Sequence, residues 1–152
     1  MYFISGFYKF KKISNIKKNK KIIQVYFINK GIRGSIIISK EGINGTISAK
    51  RKILDKAVNK IKKTFKLSNF DSINLSKCSY QPFHRGKVKI KKEVVPMGIK
   101  ILNRNSKNHV DPTKWNKLIE DKNILLLDAR KPFEYKVGTF KRSINPNVNN
   151  FR

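Results

Sequence analysis

Residues 36–49, I-I-I-S-K-E-G-I-N-G-T-I-S-A, constrain this chain more than any other stretch. Two apolar runs rich in β-branched residues flank Lys40-Glu41-Gly42, and beyond it Ile43, Gly45, Ile47 and Ala49 alternate with Asn44, Thr46 and Ser48. A period of two with glycine in the connection predicts adjacent antiparallel strands at Gly34–Ser39 and Ile43–Ser48. Gly42 and Gly45 either take up positive φ or let a second backbone come closer than a side chain would allow. Taken alone, the stretch is equally well explained as a tight hairpin with no further role.

The flanking segments extend this hairpin into a module. Tyr2 to Phe10 is aromatic and β-branched, which predicts a first strand. Ile22 to Ile28 has strand-like composition, but Ile16, Ile23 and Phe27 fall at helical spacing and Gly31 stands where a C-terminal cap belongs, so a helix is expected over about 15–29. After the hairpin, Ile53, Leu54, Ala57, Val58, Ile61 and Phe65 form one apolar stripe with lysines opposite, the pattern of an amphipathic helix. Ile73 and Leu75 begin a further strand, and Val88 and Ile90 alternate with Lys87, Lys89 and Lys91 in another. Strand, helix, strand, strand, helix, strand, plus one extra strand, predicts an α+β fold of the ferredoxin-like or acylphosphatase-like kind. It is expected as one antiparallel sheet with both helices on one face.

A different grammar follows. Residues 1–97 are read as this basic domain, 98–110 as a polar linker and 111–152 as the start of an α/β domain. Asp111 is a suitable N-cap and Pro112 suits the first helical position. Trp115, Leu118 and Ile119 give that helix an apolar face. Ile124 to Leu127 is a continuous apolar run that predicts a parallel strand buried on both faces, ending at Asp128.

Charge narrows the choice of partner. The chain carries 36 Lys and Arg against 9 Asp and Glu, a formal charge of +27, and residues 1–100 hold most of the excess. Such density repels itself unless a polyanion neutralises it, which makes nucleic acid the default partner. The competing explanation is codon drift in an AT-rich genome, which also enriches Lys, Ile and Asn. The single Cys78 excludes an internal disulfide and fits a reducing cytosol, and with no secretory leader or apolar run of membrane-spanning length recognisable the chain is expected to be soluble and intracellular. No cofactor fingerprint, P-loop or metal-ligand cluster is recognisable.

Gln81 to Lys92, Q-P-F-H-R-G-K-V-K-I-K-K, is the leading binding candidate. In a strand, Lys87, Lys89 and Lys91 stand in a row on one face, which Arg85 and Lys92 extend, while Val88 and Ile90 turn to the core. A row of ammonium groups can follow a phosphate backbone through counterion release; alternatively it is the solvated edge that keeps sheets from pairing. Cys78 has no acid–base pair beside it in sequence and is expected to pack as a small buried thiol. His84 and Trp115 are assigned local structural roles, and His109 has no evident metal partners.

Asp128-Ala129-Arg130-Lys131-Pro132-Phe133-Glu134-Tyr135-Lys136-Val137-Gly138-Thr139 resembles the opening signature of rhodanese-like domains, with Ile144 and Pro146 following but Asn145 and Asn147 unusual. Together with E-G-I-N-G-T at 41–46 and P-F-H-R-G-K-V-K-I-K-K-E-V-V-P-M-G at 82–98, the chain resembles the N-terminal half of the bacterial tRNA uridine 5-hydroxylases. These pair an acylphosphatase-like domain with a rhodanese-like domain. The resemblance implies installation of 5-hydroxyuridine at the anticodon wobble position, with the basic domain holding tRNA in the cytoplasm. It implies that Asp128, Arg130 and Glu134 frame the second site, and that the essential cysteine lies beyond Arg152, so that this chain alone is expected to be inactive. The oxygen donor is left undefined. A rhodanese-type sulfurtransferase and a non-enzymatic RNA-binding remnant stay open as alternatives.

Overall fold

A computed structural model describes residues 1–95 and 110–148. The chain divides into two compact units, Met1–Val95 and Pro96–Arg152. Residues 98–109 of the expected linker, His109 among them, lie outside the described residues.

The first unit runs β1 (Tyr2–Phe10), α1 (Ile16–Lys30), β2 (Arg33–Ser39), β3 (Gly42–Ala49), α2 (Arg51–Phe65), β4 (Ser72–Cys78) and β5 (Gly86–Ile90). The sheet order is β4-β1-β3-β2-β5. β1 lies antiparallel to β3 and β4, and β2 antiparallel to β3. The fifth strand departs from the expected antiparallel sheet by joining β2 in parallel. β4 and β5 stand at opposite edges, so the chain crosses the end of the sheet through residues 79–85 before it turns. It then runs beside β2 in the same direction.

Alternation decides which side chains are buried. Phe7, Ile36, Ile38, Ile43, Ile47 and Val88 share one sheet face with Ile23 and Phe27 of α1 and Leu54, Ala57, Ile61 and Phe65 of α2. Each isoleucine removed from water there contributes about 2 kcal/mol. The segment of strand-like composition is a helix, α1, because Ile23 and Phe27 fall on one side and Gly31, in the left-handed region, donates its N–H to Ile28 O. The edge of β5 is held by Gln24 of α1, whose side chain accepts from Val88 N (2.9 Å) and donates to Gly86 O (3.2 Å).

The hairpin motif owes its glycines to crowding. A Cβ at Gly42 would stand 2.2 Å from Lys9 O, and one at Gly45 would stand 2.9 Å from both Ile36 Cγ1 and Ser35 O. The turn is also a hub. Lys11 N donates to Glu41 O, Ile13 N donates to Lys40 O, and the Glu41 carboxylate accepts from Val94 N (2.7 Å). Glu41-Gly42 therefore ties three stretches of the unit together.

In the second unit, α3 (Pro112–Glu120) opens as expected, with Asp111 accepting from Lys114 N, and a short α4 (Pro132–Val137) follows. The expected doubly buried strand at 124–127 is absent. Only an isolated parallel bridge joins Leu127 to Ile144, and Leu125 and Leu127 are 71% and 56% exposed. A parallel strand needs a ladder on its flanks, and among the described residues Ile144 is the one partner it finds.

Candidate functional site

The five basic residues marked out by sequence stand at or beside β5. Lys87 and Lys89 pair across from Ser35 and Ile37 and share the sheet face opposite the helices, while Val88 turns into the core. Lys91 follows the strand, where its N–H donates to Ile38 O, and its side chain is exposed. Arg85 and Lys92 are exposed at the two ends. Ile90, expected in the core, is 41% exposed, because β5 is an edge strand and stops there. Alternation in β2 adds Arg33 to the same face, where it donates to Phe83 O (3.4 Å). Arg33 was not among the candidates marked by sequence, although the pattern Arg33, Ser35, Ile37 against Gly34, Ile36, Ile38 carries it.

Among the strand residues that the register places on that face, the charged ones are Arg33, Lys87 and Lys89, all basic; the four acids of residues 1–95 lie in α2, in the hairpin turn or just outside the strands. His84 is exposed in the 79–85 crossing. Cys78 closes β4 as a free, partly exposed thiol; the expectation of a buried thiol fails because β4 is the opposite edge of the sheet.

The signature loop of the second unit is cross-tied by side-chain hydrogen bonds. Arg130 Nε and Nη2 donate to Asp128 Oδ1 (2.9 Å) and Oδ2 (2.6 Å), and Nη2 also donates to Gly138 O (2.6 Å). Thr139 Oγ1 donates to Asp128 Oδ2 (2.7 Å). The carboxylate of Glu134 accepts from Lys131 N (3.2 Å) and so starts α4. Asn145, which looked anomalous in sequence, donates to both Asp128 O and Arg130 O at 2.8 Å. Arg142 reaches back to the carbonyls of Ile119 in the last turn of α3 and of Asp121 and Ile124 after it. Neither role has a short-range sequence signal. The loop borders a cleft of about 570 Å³ lined by Trp115, Leu126 and Phe140 besides Asp128 and Arg130. Trp115 meets Phe140 edge-to-face at 5.6 Å. Among the described residues, no group of His, Cys, Asp and Glu could hold a metal ion.

The Arg130 hydrogen bonds, then that of Thr139, hold the Asp128 carboxyl well below the usual carboxylate range. A depressed native pKa gives a contribution present above the unfolded value near 4 and lost only as pH falls through the lower native one. The loop is accordingly expected to stay closed at pH 4. Trp115, the sole tryptophan, reports it: emission should be unchanged between pH 7 and 4, and Asp128→Asn should alter it already at pH 7. Identical emission in the variant would refute the clamp.

Residues 2–94 match the family described as "UPF0176 acylphosphatase like domain". A protein of Pelagibacter ubique named tRNA uridine(34) hydroxylase is 60% identical over 153 residues, covering 100% of this chain and 51% of the relative. A protein of the same name from a Wolbachia strain is 35% identical over 150 residues, covering 98% of this chain and 53% of the relative. The chain thus spans about half the length of the curated relatives it matches. An acylphosphatase from Bacillus subtilis aligns structurally with a TM-score of 0.43 at 12% identity, over 58% of this chain and 98% of that one. No helix among the described residues is long and apolar enough to cross a membrane. With the βαββαββ order and the match over residues 2–94 in agreement, the chain belongs to the UPF0176 acylphosphatase-like domain family.

Proposed function

We propose that this chain takes part in hydroxylation of the wobble uridine of tRNA, as an oxidoreductase of the tRNA uridine hydroxylase kind, and that its first unit holds the tRNA. The observation carrying this is the 60% identity, along the whole chain, to a protein named for that activity. The basic strand positions Arg33, Lys87 and Lys89 on one sheet face support the division of labour, with Arg85, Lys91 and Lys92 completing the grip. Phosphate contacts supply affinity and position without reading sequence, which suits a unit that presents a nucleotide to chemistry elsewhere. Anticodon-loop uridines are unpaired and are turned into a pocket at small cost. Asp128, Arg130 and Glu134 fit a framing role in the second unit, leaving the reacting groups to other residues.

The test is binding of unmodified tRNA across a salt series. Each phosphate that the protein neutralises steepens the fall of log affinity with log salt by close to one unit. The expected result is a slope of about −3 or steeper. Binding that is absent at 50 mM salt, or flat between 50 and 200 mM, would overturn the assignment.

A further inference from the structure

One face of the first unit's sheet carries α1 and α2; the other carries no helix of that unit among the described residues and has a chemistry of its own. Its middle row, read from the strand register, is Tyr8, Asn44, Ile37 and Lys89, directly opposite one another on β1, β3, β2 and β5. Three interstrand spacings separate the phenol from the ammonium, about 14 Å. Tyr8 is 37% exposed, and Phe10 on the same face meets it edge-to-face at 5.8 Å. In the adjoining row Gly6 presents bare backbone beside Tyr8, followed by Thr46, Ser35 and Lys87. Aromatic rings thus lie on one side of the face, the polar side chains of Asn44, Thr46 and Ser35 together with Ile37 in the middle, and cations on the other.

That order matches the chemistry of a splayed single strand: bases stack on aromatic rings, amide and hydroxyl groups meet base edges, and ammonium groups follow the phosphates. Two explanations compete. An aromatic pair next to a glycine can be an ordinary cross-strand packing device. It would not require the charged strand positions on the face to be all cationic, however, and a lysine edge built only to prevent pairing would not require an exposed tyrosine three strands away. We propose that this sheet face, opposite α1 and α2, is a platform for unpaired nucleotides, with Tyr8 as the stacking residue and Lys87 and Lys89 as phosphate contacts. The proposal rests on the reading that the chain handles tRNA and specifies which surface meets the unpaired segment.

The experiment uses the full chain with unmodified tRNA and with a uridine hexanucleotide. Amide shifts of the unaltered protein on adding the hexanucleotide should concentrate at Tyr8, Asn44, Ser35 and Lys89. Tyr8→Ala should weaken hexanucleotide binding about tenfold with the salt slope unchanged, and Tyr8→Phe should restore it. If the chain binds tRNA but the shifts fall on α1 and α2, or Tyr8→Ala changes hexanucleotide affinity less than twofold, the platform is wrong and the tRNA assignment stands. If the unaltered chain binds neither RNA, both fall together.

Discussion

Gly42→Val should lower the stability of the first unit by about 3 kcal/mol, the upper range for forcing extra volume into a packed site. For a domain of this size that is a fall in thermal midpoint of roughly 10–20 °C, read by far-UV circular dichroism. The reason is local. The new Cβ would sit 2.2 Å from Lys9 O, a backbone atom of the neighbouring strand that cannot rotate away. To relieve it, β1 and β3 would have to separate at the Phe10–Gly42 pair, beside the turn that also receives Lys11 N and Val94 N. Thr46→Ala, on the same strand but with an exposed side chain, meets no such obstacle and should stay within about 0.5 kcal/mol. Equal midpoints for the two variants would show that crowding does not explain the motif.

The second large effect is on RNA. Replacing Lys87, Lys89 and Lys91 together by Glu should weaken tRNA binding about a hundredfold at 100 mM salt and make the salt slope shallower by about two to three units. Lys87 and Lys89 flank Val88 on an edge strand already fixed by β2 and Gln24, so the charge change acts at the surface and leaves the fold intact. The same exchange at Lys52, Lys56 and Lys63 of α2, exposed on the helix-bearing side, removes equal net charge. It should weaken binding less than fivefold, because only long-range attraction is removed there. Similar losses from the two triples would mean that the chain attracts RNA by bulk charge and has no preferred face.

Much of the first unit is legible in its residues because each element declares its period. The isoleucines of the hairpin alternate, the stripe of α2 recurs at three- and four-residue steps, and Gly31 marks the end of α1 in a segment whose composition favours a strand. The parallel pairing of β5 is not legible, since it follows from where the 79–85 crossing delivers the chain rather than from anything within Gly86–Ile90. Local patterning also misleads at Ile124–Leu127: an apolar run states a need for burial, but the partners that would satisfy it are set by the rest of the fold. Burial is overestimated at Cys78 and Ile90 for a related reason, because both lie on edge strands where alternation no longer guarantees cover. In the second unit Asp128, Arg130 and Glu134 can be marked by their resemblance to the opening signature of rhodanese-like domains. The anchors Asn145 and Arg142 cannot, since their carbonyl partners lie 15 to 23 residues away in sequence.

Which lysines tRNA covers is the decisive question. Brief acylation of the chain with and without unmodified tRNA, followed by peptide mass spectrometry, answers it directly at every lysine. Strong protection of Lys87, Lys89 and Lys91, with Lys52, Lys56 and Lys63 still reacting, is the predicted result. Protection of the α2 lysines while those at β5 remain reactive would contradict it.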